Sequence, residues 1–151
     1  MLAQPIIEVE KKWAQKVVTN ARSILLRNKK IATGKLYNSI TYNVSSDGDI
    51  SFSYAEEGKY VESGRRKGAR FPPPAPILKW IKIKGIKGRD AKTGKFIKDK
   101  VLVFLFQRAI SRDGIKAVPF MQLAIDQATQ QLLVELEQSI AAYYDREIAK
   151  A

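Results

Sequence analysis

Phe120, Ala124, Ala128, Leu132, Leu136, Ile140 and Tyr144 fall on every fourth residue at the end of this 151-residue chain, and such a row marks a single long helix. It fixes a helix that begins after Val118-Pro119 and runs nearly to the C-terminus. The row outreaches what a domain of this size needs. Its first half therefore reads as a core face, and its tail as a surface that packs on another subunit or projects from the body. A second row opens the chain, where Ile6, Val9, Trp13, Val17, Ala21 and Ile24 recur at three- and four-residue steps. Pro5 suits a first helical turn, where its missing N–H is not needed, so the pattern predicts a helix from about Pro5 to Asn28.

Between these helices the period changes. Ala32-Thr33-Gly34 punctuates the chain, Gly34 supplying backbone freedom and Thr33 capping a short following turn. Ile40, Tyr42 and Val44 then alternate with polar residues, as do Ile50, Phe52 and Tyr54, and Ser45-Ser46-Asp47-Gly48-Asp49 between them is built of turn residues. That pattern predicts a β-hairpin with one apolar face per strand. Residues 55–75 read as loop, because Phe71-Pro72-Pro73-Pro74-Ala75-Pro76 cannot lie inside a helix or a central strand. Pro76 suits the first turn of a short helix carrying Ile77, Trp80 and Ile81 inward. Gly85, Gly88 and Gly94 among lysines and arginines form a second flexible segment. Val101, Leu105, Ala109 and Leu102, Phe106, Ile110 make two adjacent rows, predicting a helix buried over a wide face and ended at Gly114. The expected fold is α+β: a long N-terminal helix, a small antiparallel sheet with a β-hairpin, and further helices including the long C-terminal one. Residues 1–151 read as a single domain with an extended basic loop region over 59–100.

Composition narrows the chemistry. The chain has no Cys and no His, which removes disulfides, thiolate nucleophiles, the Ser–His–Asp triad and the commonest metal ligand. Its net charge of +12 is unevenly spread, with 14 basic and 3 acidic residues over 59–100 and 3 basic against 6 acidic over 113–151. So concentrated a field attracts polyanions, which implies a phosphate backbone in the working environment. No apolar run approaches the ~20 residues of a membrane span, and the N-terminus lacks the pattern of a signal peptide, so the protein reads as soluble and intracellular, with no membrane partner.

No glycine-rich phosphate loop appears, since Gly64-Arg65-Arg66-Lys67-Gly68 lacks the spacing and the Lys–Ser/Thr ending. A metal-dependent nuclease would need three or four converging carboxylates, for which Asp47, Asp49, Glu56, Glu57 and Glu62 are the available set. Tyr54, Tyr60, Phe71 and Trp80, interleaved with Arg65, Arg66, Lys67 and Arg70, suggest base stacking, although aromatics at such positions more often serve the core.

Taken in order, Thr33-Gly34-Lys35-Leu36-Tyr37-Asn38-Ser39-Ile40, Tyr54-Ala55, Tyr60-Val61-Glu62-Ser63-Gly64 and Val118-Pro119-Phe120-Met121 resemble the tail-completion or head–tail joining (neck, connector) proteins of tailed phages. That family shows a T-G-x-L-x-x-S-I segment, a Y-A-x-Y-V-E-x-G segment and an R-P-F-hydrophobic start to the last helix. Here Glu56-Glu57-Gly58-Lys59 lengthens the second motif, and the proline-rich and basic segments are insertions relative to many relatives. The resemblance implies a non-enzymatic virion part with no cofactor, made in the host cytoplasm. It would be a ring of six or twelve identical subunits around the DNA channel at the head–tail junction, meeting other connector, portal or tail proteins. It also makes Thr33, Gly34, Leu36, Ile40, Tyr60, Glu62, Gly64, Pro119 and Phe120 structural motif residues. Arg65, Arg66, Lys67, Arg70, Lys82, Lys84, Lys87 and Arg89 are the candidates for contacts between subunits or for non-specific contact with double-stranded DNA. The alternative reading is a basic nucleic-acid-binding accessory protein.

Overall fold

The computed structural model describes residues 4–151, with side chains from Ile7 onward; Ile6, assigned to the first apolar row, lies outside the described side chains. The chain is α+β, with elements in the order α1 (Gln4–Arg27), α2 (Lys35–Ser39), β1 (Thr41–Val44), β2 (Ile50–Ser53), α3 (Glu57–Ser63), α4 (Pro74–Lys84), α5 (Asp99–Asp113) and α6 (Phe120–Lys150). None of the described helices is long and apolar enough to cross a membrane. Two compact units result. Of the described residues, the first gathers 4–29, 39–54 and 119–151, and the second gathers 30–38 and 55–118.

In the first unit α1 packs against α6 and against β1. Ala14, Val17, Val18, Ala21, Ile24 and Leu25 are buried on α1, facing a core that also takes in Ile40, Phe120, Met121, Ala124 and Ala128. The alanines on both helices keep the side chains short where the axes approach, and axial separation depends on those side chains. Val9 remains exposed, so only the later part of the anticipated α1 row is core. The hairpin pairs Thr41 with Ser53, Tyr42 with Phe52, Asn43 with Ser51 and Val44 with Ile50. Its turn is tied by the Ser45 hydroxyl, which accepts hydrogen bonds from the amides of Asp47 and Asp49 at 3.3 and 3.0 Å. Phe52 is half-buried and meets Trp13 edge-on with ring centroids 5.9 Å apart. Tyr42, directly opposite Phe52 and on the same face, stays exposed, so the buried part of that face is carried by Phe52 of β2.

In the second unit α4 packs on α5. Ile77, Ile81, Leu102 and Val103 form its buried core, with Leu78, Ile86, Ile97, Phe106 and Ile110 packed against them. Three expectations are corrected here. Residues 57–63 form the helix α3 rather than loop; seven residues with a central Gly58 carry too little apolar periodicity to announce a helix. The α4 helix starts at Pro74, two residues inside the stretch read as loop, with Pro76 in its first turn as expected, because two prolines fit within a first turn whose amides have no intrahelical acceptor. Finally, α5 is not buried over a wide face. The Leu102, Phe106, Ile110 row turns inward with Val103, while Val101, Phe104 and Leu105 are exposed.

The anticipated short turn after Thr33 is α2, and the Thr33 hydroxyl accepts from the Lys35 amide at 3.2 Å. Beyond Leu132 every residue of α6 is exposed.

Candidate functional site

The basic residues singled out from the sequence all lie in the second unit. The loop after α3 is stitched to the segment after α5 by main-chain bonds: Arg65 and Ile115 form an antiparallel bridge, and the Val118 amide donates to the Val61 carbonyl at 2.8 Å. The Gly68 amide donates to the Ser111 carbonyl at 2.7 Å, and the Ser111 hydroxyl and Gln107 side-chain amide donate to the carbonyls of Ala69 and Pro72 at 2.6 and 2.7 Å. This path holds the proline-rich run along α5. The Arg65 guanidinium donates to the Arg70 carbonyl of the same loop, and its Nε is buried. Arg65 therefore spends its charge on loop geometry, whereas Arg66, Lys67 and Arg70 are exposed. Arg112 first, and then Lys67 more weakly, holds the Asp113 carboxyl below its ordinary range.

The segment expected to be flexible is built as a tight hydrogen-bonded loop. Arg89 and Phe96 form an antiparallel bridge, the Ile97 amide donates to the Gly88 carbonyl at 2.8 Å, and the Asp90 and Lys95 main chains bond at 2.9 Å. The Asp90 carboxylate accepts from the amides of Lys92 and Thr93 at 2.8 and 2.9 Å. Those two amides, Thr93 foremost, hold its pKa down, because their hydrogen bonds are stronger to the charged carboxylate than to the neutral acid. At the base of this loop Phe96 is 60% exposed. The Arg89 guanidinium lies 4.2 Å and the Lys87 ammonium 5.7 Å from its ring centroid, both within cation–π range.

The structure thus joins Arg65 to Arg70 and brings Lys87 and Arg89 together on Phe96. Lys84 turns back to donate to the Ile31 carbonyl at 2.6 Å, and Lys82 borders an apolar groove of about 830 Å³ between α4 and α5. Leu78, Val101, Val103 and Phe104 line that groove, with Lys82, Asp99 and Lys100 among its polar residues. Neither Phe96 nor the groove was singled out from sequence. The one signal for Phe96 was a lone aromatic in a charged loop, and the groove exists only because half of the α5 apolar surface stays open.

Of the aromatics considered for stacking, Tyr54 meets Phe120 at 5.3 Å, Trp80 meets Phe106 at 5.4 Å and Phe71 meets Phe104 at 5.9 Å between centroids. Each of these rings has an aromatic partner in the protein, although Phe71 and Trp80 remain partly open to solvent, and Tyr60 is the most exposed of the four.

Ile40 and Phe120 are fully buried, the Gly34 carbonyl accepts from the Asn38 amide at 2.9 Å, the Pro119 carbonyl from the Leu123 amide at 3.0 Å, and the Tyr60 carbonyl from the Gly64 amide at 2.8 Å. Leu36 and Glu62 are half-buried. Glu57 pairs with Lys35 at 3.1 Å, and its carboxyl is held low first by its own amide and then by Lys35. Among the described residues no three carboxylates form a metal-holding group.

Comparison with protein-family models, with curated proteins and with solved structures finds no match to this chain.

Proposed function

We propose that the chain is a non-enzymatic structural protein of a tailed-phage virion, one subunit of a ring in the head–tail connector or tail-completion complex around the DNA channel. The observation that carries this reading is the apolar surface left open on one copy. Leu133, Val134, Leu136, Ile140, Tyr143, Tyr144 and Ile148 are exposed on α6, and Val101, Phe104 and Leu105 on α5. Large exposed apolar side chains gathered on a helix in this way mark contact with other proteins. The resemblance in motif order supports the particular setting, and the use of those motif residues for turns and core contacts agrees with a part whose role is shape. A ring needs a head-to-tail interface whose rotation closes, so two different surfaces of one subunit must complement each other.

The test is the solution mass of the purified protein by light scattering at low and moderate salt without nucleic acid. A discrete closed oligomer of about six or twelve copies is the expected result. A monomer at every concentration counts against a ring that forms by itself.

A second reading, a nucleic-acid-binding accessory protein, is favoured by the Phe96 loop alone. An exposed ring flanked by Lys87 and Arg89, with Lys92 and Lys95 in the adjoining turn, combines the stacking surface and the cations that single-stranded nucleic acid takes.

A further inference from the structure

We infer that the C-terminal half of α6 from one copy of the chain seats in the α4–α5 groove of a second copy. This deepens the ring reading by naming its two complementary surfaces, and it rests on that reading only in requiring copies to meet. Beyond Leu132 the helix continues to Lys150 with every residue exposed. Most helical stability in proteins comes from packing of an apolar face rather than from propensity, and this stretch of α6 has no such cover within one copy. Leu136, Ile140, Tyr144 and Ile148 recur at four-residue steps along it, the spacing by which an amphipathic helix anchors in an apolar groove.

The groove meets that helix in both chemistry and sign. Leu78, Val101, Val103 and Phe104 offer an apolar lining, and Lys82 and Lys100 outweigh Asp99 in charge. The α6 tail carries Glu135, Glu137, Asp145 and Glu147 against Arg146 and Lys150. Two of those carboxylates are already engaged, Glu135 by Lys16 at 3.1 Å and Glu147 by Lys150 at 2.9 Å. Glu137 and Asp145 are therefore the acids assigned to Lys82 and Lys100 of the second copy. Basic and apolar on one side, acidic and apolar on the other, the two surfaces are unlike. A contact between them is heterologous and can propagate or close into a ring, which a tail-to-tail pairing does not do.

Two double variants test this, each altering exposed side chains so that folding is preserved, as circular dichroism and thermal unfolding would verify. The tail variant is Ile140→Asp with Tyr144→Asp, and the groove variant is Val101→Asp with Phe104→Asp. The wild type is expected to self-associate and each variant alone to be monomeric by light scattering. Their equimolar mixture should form a species of twice the monomer mass, because one member keeps an intact groove and the other an intact tail. A mixture that stays monomeric overturns the proposal. So does a groove variant that keeps the wild-type mass, although that result leaves the ring reading standing on another interface. Open chains that lengthen with concentration, together with rescue in the mixture, would uphold the docking and defeat the closed ring. A wild type that is monomeric throughout overturns the docking.

Discussion

Arg65 and Ile115 are bonded through both of their main-chain groups, the Arg65 amide donating to the Ile115 carbonyl at 2.9 Å and the Ile115 amide to the Arg65 carbonyl at 2.8 Å. A glycine precedes each partner. Gly64 has φ of 67° and Gly114 of 73°, and each presses against the opposite strand. A Cβ on Gly64 would stand 2.5 Å from the Ile115 carbonyl oxygen and 2.6 Å from the Ala117 nitrogen, and one on Gly114 would overlap the Arg65 carbonyl oxygen. Gly64→Ala should therefore cost about 2–4 kcal/mol, combining left-handed strain with overpacking against rigid backbone. Gly94, with a φ of 69° but nothing within 4 Å, should lose only about 1 kcal/mol on the same change. Urea midpoints of the two variants check this; equal losses would mean that the close approach carries no energy.

Phe120 is fully buried and meets Tyr54 edge-on. Phe120→Ala should lower the stability of the first unit by about 3–5 kcal/mol, through lost transfer energy and the cavity left behind. Tyr54→Leu, which keeps bulk but removes the ring pair, should cost about 0.5–1.5 kcal/mol. Denaturant unfolding followed by Trp13 fluorescence in a Trp80→Phe background separates the two.

Asp90 gives the loop at 86–98 a pH dependence. Its carboxyl titrates below the ordinary 3.8 when folded, because the Thr93 and then the Lys92 amides bond to the charged form. A lowered folded pKa stabilises the turn above the ordinary value, and that contribution disappears as pH falls through the depressed one. The amide protons of Lys92 and Thr93 should be protected from exchange near neutral pH and lose protection below about 3.8. Asp90→Asn, with an uncharged acceptor, should show no such step. An identical acid transition in both proteins would remove Asp90 as its cause.

Lys87, Arg89, Lys92 and Lys95 surround the Phe96 loop. If phosphates bind there, replacing all four by Ala should flatten the plot of log affinity for DNA against log salt by about 0.9 for each phosphate no longer neutralised. Fluorescence anisotropy on a single-stranded oligonucleotide, where the change per phosphate is about 0.7, and on a duplex of arbitrary sequence reads that slope. An unchanged slope would take the loop out of any phosphate-binding surface.

The elements most legible in the sequence were those with one dominant period. The Val17, Ala21, Ile24 row and the Phe120, Ala124, Ala128 row each stand for a face that is buried, and alternation on either side of Ser45–Asp49 located the hairpin. What stayed hidden depends on contacts between distant segments. The short helix α3 is held in place by the Val61 and Arg65 bonds to 115–118, which no local pattern encodes. Charge likewise located a basic region but not its use: Arg65 and Lys84 turned out to satisfy main-chain carbonyls, while Phe96 became a focus for Lys87 and Arg89 only through the bridge that folds 89 onto 96. The groove was illegible for a similar reason, since the Val101 and Leu105 row reads as core until α4 is seen to cover only one side of α5.

The bridge at Arg65 and Ile115 also bears on how the chain finds its fold. Tyr54 and Phe120 must meet across 65 intervening residues, and closing a loop costs entropy that rises with the logarithm of its length, about 0.6 kcal/mol per doubling. Once residues 65 and 115 are clasped, the long excursion between them no longer counts toward that search. The segments outside it then behave as a much shorter chain. The two glycines at the clasp are thus kinetic as well as steric features, and substitutions there should slow folding as well as lower stability.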